Sequence, residues 1–170
     1  RHVIDELIGA VTAEQAEGHR ADQGDWWAAL DDVRGRYPLG YDEPVDGTLA
    51  PQYVIKRLGE IVGPDAVYVA GVGQHQMWAA QHYHFFSPNR WLTSGGLGTM
   101  GYGLPAAIGA QCGNPGKLVV DIAGDASIQM NIQELGTASQ YRLPVKVFIL
   151  NNEWMGMVRQ WQELTYESRY

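Results

Sequence analysis

Two apolar runs, each ending in a polar turn, constrain this chain more than any other feature. Leu118-Val119-Val120-Asp121-Ile122-Ala123 leads into Gly124-Asp125-Ala126-Ser127, and residues 145–150 lead into Asn151-Asn152-Glu153-Trp154. Near-continuous apolar runs of this length read as strands buried on both faces. The segment between them, residues 128–141, reads as a crossover helix, which makes the two strands parallel neighbours. Parallel strands deliver their polar ends to one sheet edge, the edge at which open α/β sheets bind ligands.

The same alternation extends through much of the chain. Pro51 suits a first helical turn, and Val54, Ile55, Leu58, Ile61 and Val62 fall on one face of the helix it opens. Residues 66–70 read as a strand, Gly71-Val72-Gly73 as a turn, residues 74–83 as a helix and residues 90–93 as a short strand. Residues 101–112, rich in Gly and Ala, form a helix able to approach a sheet closely. A last helix covers about residues 155–164. Strands alternating with helices predict an α/β fold, a parallel sheet with helices on both faces. Residues 1–47 differ in character: two polar helices over 2–17 and 22–36, with Trp26, Trp27 and Leu30 as a short apolar stripe, and then a Pro- and Gly-containing linker. The expected division is a tail and linker over 1–47 and one domain over 48–170, truncated at its C-terminal end.

Composition limits the function classes. With 12 Lys plus Arg against 19 Asp plus Glu, the net charge is −7 and no basic cluster interrupts it, so nucleic acid is excluded as a partner. The 45% hydrophobic content is globular, and no apolar stretch approaches the roughly 20 residues that cross a membrane. Cys112, the single cysteine, is expected to pack as a small hydrophobe. The chain opens at Arg1, and its first helix is amphipathic and unlike a signal sequence, which suggests a piece of a longer protein.

The two polar turns suggest a divalent-metal and diphosphate site. Magnesium takes six oxygens and keeps phosphate and water among them, so a protein need supply only a few. Asp125 offers a carboxylate, Asn152 an amide oxygen, and the backbone carbonyl of Trp154 is placed to give a third ligand. The amides of Ala126 and Ser127, opening the crossover helix, suit an anion. The competing view is that Asp125 and Ser127 cap a helix while Asn151 and Asn152 turn the chain. Gln74 and His75, after the first strand, emerge at the same edge and can donate to phosphate oxygens. His82 and His84 lack a third metal ligand at suitable spacing.

Gly96 to Gly101 spells G-x-G-x-x-G with Asp121 downstream, a dinucleotide pattern. The strand before it is short, Pro105 falls early in the helix and Asp121 lies inside a strand, all of which argue against a nicotinamide site. The alternative use is close backbone approach to a planar heterocycle, with Met100 as apolar support. Met157 and Trp161, four apart, share one face of the last helix. Such a stripe is usually core; beside a cofactor it lines a substrate channel.

Gly73-Gln74-His75-Gln76-Met77-Trp78, Thr93-Ser94-Gly95-Gly96-Leu97-Gly98-Thr99-Met100-Gly101, Gly124-Asp125-Ala126-Ser127 and Asn151-Asn152 with Gly156-Met157-Val158-Arg159-Gln160-Trp161 occur in this order. Together they resemble the large catalytic subunit of the acetolactate (acetohydroxyacid) synthase family. The resemblance covers about residues 50–170, the C-terminal thiamine-diphosphate-binding domain, and makes residues 1–40 the end of the middle domain. It implies joining of two pyruvates, or pyruvate and 2-oxobutanoate, with loss of CO2 in branched-chain amino-acid biosynthesis, with thiamine diphosphate and Mg2+ as cofactors. By position, Gln74 and His75 would meet the diphosphate, and Gly98 and Met100 the aminopyrimidine. Asp125, Asn152 and the carbonyl of Trp154 would hold Mg2+. Asp125, Ala126 and Ser127, with Asn152, Glu153, Trp154, Met155, Gly156 and Met157, would line the diphosphate pocket. Met157 and Trp161 would face the substrate and herbicide channel.

Many thiamine enzymes carry Gly-Asp-Gly where this chain has Gly124-Asp125-Ala126, a change that leaves the metal ligand in place. The family's activating glutamate belongs to an N-terminal domain of the partner subunit, so the resemblance implies no catalytic residue here and no turnover from this piece alone. It also implies FAD in the full-length enzyme, a homodimer or higher homo-oligomer, a small regulatory subunit, and residence in bacterial cytoplasm or a plastid. A pyruvate oxidase or 2-oxoacid decarboxylase and a non-catalytic thiamine-diphosphate-binding or assembly module are the alternatives. Gln160-Trp161 favours the synthase over the oxidase or decarboxylase.

Overall fold

A computed structural model describes residues 1–170, which divide into two compact units, Arg1–Gly40 and Tyr41–Tyr170. The first unit holds helices α1 (His2–Ala16) and α2 (Gly24–Arg36), and neither contains a buried residue. Val3, Ile4, Leu7, Ile8 and Val11 of α1 and Trp26 and Trp27 of α2 are all exposed, so the tryptophan stripe is not a core.

In the second unit the elements run α3 (Pro51–Val62), β1 (Val67–Ala70), α4 (Gln74–His82), β2 (Trp91–Thr93), α5 (Gly103–Gly113), β3 (Val119–Gly124), α6 (Asp125–Gln129), α7 (Glu134–Gln140), β4 (Lys146–Leu150) and α8 (Gly156–Thr165). All strand pairings are parallel, in the order β2-β1-β3-β4. The chain leaves β1 toward β2 and returns past it to β3. Loops after β1 and β3 therefore separate above the sheet, and the crevice between them is the switch point at which such folds bind ligands.

Helices cover both faces because the strands are apolar on both. All four residues of β1 are buried. On one face Tyr68, Ala70, Val120 and Ile122 pack with Ile55 of α3 and Ala79 of α4; on the other, Val67, Val69 and Val119 pack with Ala107 of α5. Complete burial of a side chain such as Ile55 contributes roughly 1.5–3 kcal/mol. Tyr68 and Tyr83 hydroxyls both donate to the carbonyl of Gly63, at 2.9 and 3.2 Å, fastening the end of α3 over the sheet. The ring of Tyr83 occupies the space that a Cβ on Gly59 would need.

Three expectations require correction. The crossover is broken: α6 and α7 are joined by residues 130–133, whose backbone bonds run three residues apart, as from Glu134 N–H to Asn131 O and Gly136 N–H to Gln133 O. Strand β4 is only half covered, with Lys146 and Ile149 exposed, because it pairs with β3 on one side and is the edge of this sheet. Cys112 is exposed. Helix α5 buries Leu104, Ala107, Ile108 and Gln111, and Cys112 falls outside that face.

Candidate functional site

A cavity of about 890 Å³ opens at the β1/β3 switch point. Its wall includes Gln74 and His75 from the start of α4, Gly98 and Met100 from the loop after β2, and Asp125, Ala126 and Ser127 from the start of α6. Asn152, Trp154, Met155, Gly156, Met157 and Trp161 close it from the loop after β4 and from α8. Glu153 is the one expected pocket residue outside this wall. It is exposed, with φ at 62° in the left-handed region.

Parallel strand ends account for the convergence. The backbone N–H of Asn152 points at Asp125 Oδ1, 3.5 Å away, so the turns after β3 and β4 meet. The turn after β4 is built from its own side chains: Asn151 Oδ1 accepts from Glu153 N–H and Asn152 Oδ1 from Trp154 N–H, each at 3.1 Å. Asn152 Oδ1 retains a second lone pair. The Arg159 guanidinium lies 4.0 Å over the Trp154 ring and its Nε donates to Glu163, which ties the turn to α8. Gln74 Nε2 approaches Gln160 Oε1 at 3.4 Å, joining α4 to α8 across the cavity.

His75 is buried and its Nε2 has no hydrogen-bond partner. Burial pushes its pKa down to about 4, opposed in part by the Asp125 carboxylate, so the ring is neutral at pH 7. An unpaired ring nitrogen of a neutral histidine is costly inside protein and suits an acceptor oxygen brought by a ligand.

Glycine sets the closeness of the walls. A Cβ on Gly71 would stand 2.2 Å from Ser127 Oγ, one on Gly124 2.9 Å from His75 Nδ1, and one on Gly156 2.0 Å from Gln74 Oε1. No group of three His, Cys, Asp or Glu is arranged to hold a metal, and His82 and His84 form no such set. Asp125 and Asn152 thus offer one carboxylate and one amide, a donor set that fits a hard divalent cation sharing oxygens with a phosphate ligand. Helix α6 is only five residues long, so an anion here would meet the amides of Ala126 and Ser127 rather than the dipole of a long crossover helix.

The dinucleotide alternative fails on geometry. Asp121 is 1% exposed inside β3 and cannot reach a ribose hydroxyl. The sequence patterns gave no sign that Leu49, Pro51, Val54, Phe148 and Leu150 also line the cavity. The break before Pro51 was the available signal, but it says nothing of what α3 packs against.

Residues 71–170 match the family model described as thiamine pyrophosphate enzyme, C-terminal TPP binding domain. Among similar curated proteins, the acetolactate synthase of Mycobacterium leprae is 54% identical over 168 residues, 99% of this chain and 27% of that protein. The acetolactate synthase large subunit of Corynebacterium glutamicum is 52% identical over 170 residues, again 27% of its length. The acetolactate synthase isozyme 3 large subunit of Escherichia coli is 46% identical over 170 residues, 29% of its length. The chain therefore spans little more than a quarter of these relatives. With the domain model covering every strand-end loop of the cavity, the chain belongs to the thiamine pyrophosphate enzymes, as their C-terminal, cofactor-binding domain.

Proposed function

We propose that this chain is the cofactor-binding part of an acetolactate synthase catalytic subunit. The whole protein would condense two pyruvates, or pyruvate with 2-oxobutanoate, to 2-acetolactate or 2-aceto-2-hydroxybutanoate with release of CO2. The observation that carries this reading is the meeting of Asp125 and Asn152 beside Gln74 and His75, in one cavity of a chain about half identical to proteins of that name.

In this reading thiamine diphosphate supplies the carbanion chemistry, and the protein holds and orients it. Asp125, Asn152 and the Trp154 carbonyl hold Mg2+. Gln74 and the unpaired Nε2 of His75 meet the diphosphate, joined by Ala126 and Ser127 and by the 152–157 segment. Gly98 and Met100 take the aminopyrimidine end, and Met157 and Trp161 border the substrate. Glu153 takes part through its backbone, given its exposed side chain. The glutamate that activates the aminopyrimidine, the FAD, a homodimeric assembly, a small regulatory subunit and a cytoplasmic or plastid location are assigned to the whole protein.

Trp154 and Trp161 both border the cavity, so tryptophan fluorescence reports on it directly. Titration of the full chain with thiamine diphosphate is expected to give saturable quenching that requires Mg2+, is lost in Asp125→Ala, and is not reproduced by NADH. Quenching that persists without Mg2+ and in Asp125→Ala would remove the metal assignment.

A further inference from the structure

The break between α6 and α7 reaches the cofactor pocket without lining it. Asn131, in the joining residues 130–133, donates from Nδ2 to the carbonyl of Gly101 at 2.6 Å, across 30 residues of sequence. Gln133 Nε2 approaches Asn131 Oδ1 at 3.4 Å, which orients the amide with its nitrogen toward Gly101. Gly101 is buried with φ at 81°, a left-handed backbone that strains any side chain, and a Cβ there would stand 2.6 Å from Asn131 Nδ2 and 3.2 Å from Met130 Cβ. A side chain at 101 would therefore push the Asn131 amide off this contact.

This bond closes a loop. Residues 94–101 leave β2 and pass the cavity, where Gly98 and Met100 form part of the wall. Upstream, Ser94 holds the loop twice: its carbonyl accepts from Gly98 N–H and its Oγ from Thr99 N–H, both at 3.0 Å. Downstream, next to Met100, stands the Asn131 contact. Residues 95–99 are exposed, so burial does little to hold the span between these ties.

We infer that Asn131 is a positioning residue, which through the carbonyl of Gly101 sets the backbone of Gly98 to Met100 against the heterocyclic end of thiamine diphosphate. The inference rests on the reading of the cavity given above. Asn131 is not part of the cavity wall and acts only through Gly101. The bond coincides with the interruption of the crossover, where the chain between α6 and α7 brings the Asn131 side chain beside Gly101.

The test separates the two ends of the cofactor. Using the full chain with saturating Mg2+, calorimetry would measure the affinities of thiamine diphosphate and of inorganic diphosphate for the wild type, Asn131→Asp and Asn131→Ala. Asn131→Asp keeps the shape and removes the donor; Asn131→Ala removes the group. Loss of one hydrogen bond that orders the loop should weaken thiamine diphosphate about 5- to 10-fold. Inorganic diphosphate binding should not change, and amide exchange at residues 98–101 should quicken while that of β3 stays slow. Unchanged thiamine diphosphate affinity in both variants, or equal weakening of both ligands, would overturn the positioning role. A wild-type chain that binds inorganic diphosphate but not thiamine diphosphate would instead refute the cofactor reading, and the inference with it.

Discussion

Asp121 sits in the middle of β3, opposite Val69 and facing α5, with its Oδ1 unpaired. Burial raises its pKa to about 7, so its carboxyl is uncharged in the fold at moderately acid pH. The unfolded chain ionises near the ordinary aspartate value of 3.8. Its contribution to stability is therefore complete below that value and is lost as pH rises toward about 7, by on the order of 4 kcal/mol. Asn at this position cannot ionise. Asp121→Asn is expected to flatten the fall in urea midpoint between pH 4 and 7, and an unchanged slope would show that another group causes it. His75 acts in the opposite sense. Its depressed pKa means that stability is lost as pH falls from about 6.5 toward 4, when the buried ring must accept a proton.

Helix α5 shows how an element can be tight at one end and loose in the middle. At Gly103 a Cβ would meet Asp121 Oδ1 at 2.6 Å and the backbone nitrogen of Gly71 at 2.8 Å, neither of which can retreat cheaply. At Gly109 it would meet nothing within 4 Å. Gly103→Ala should cost about 1–3 kcal/mol and Gly109→Ala should add about 0.4–1 kcal/mol, as measured by denaturant titration. Equal effects would mean that helix propensity, not the approach to β1, governs both sites. The Gly and Ala content of this segment predicted close approach, and the apolar runs predicted parallel strands, because both signals are local. The rest was carried by distant partners. A strand does not encode in its own residues whether a neighbour covers its far side, hence the exposed edge of β4. Likewise, the break at residues 130–133 coincides with a bond to the distant Gly101, and the apolar residues Ile128 and Leu135 on either side of it gave no sign of a turn. Gln74, His75, Asp125 and Asn152 were legible as cavity-lining residues because strand ends in a parallel sheet share an edge; Asn131 was not, since it stands at no strand end.

At the scale of the molecule, every buried core cluster lies within Tyr41–Tyr170, and Arg1–Gly40 contributes no buried residue. Removing residues 1–40 is expected to leave the thermal midpoint of the remaining unit within a few degrees, whereas a drop of ten or more would assign the tail a structural role. The parallel order β2-β1-β3-β4 has a further consequence. The walls of the cavity come from segments as distant in sequence as Leu49 and Trp161, so no part of the chain can assemble the pocket before the sheet has formed. A ligand that fits there recognises only the finished structure. By mass action it draws the population toward that state, by about 2.7 kcal/mol at a hundred times its dissociation constant, so occupancy becomes a brace that the cell tightens or slackens with cofactor supply.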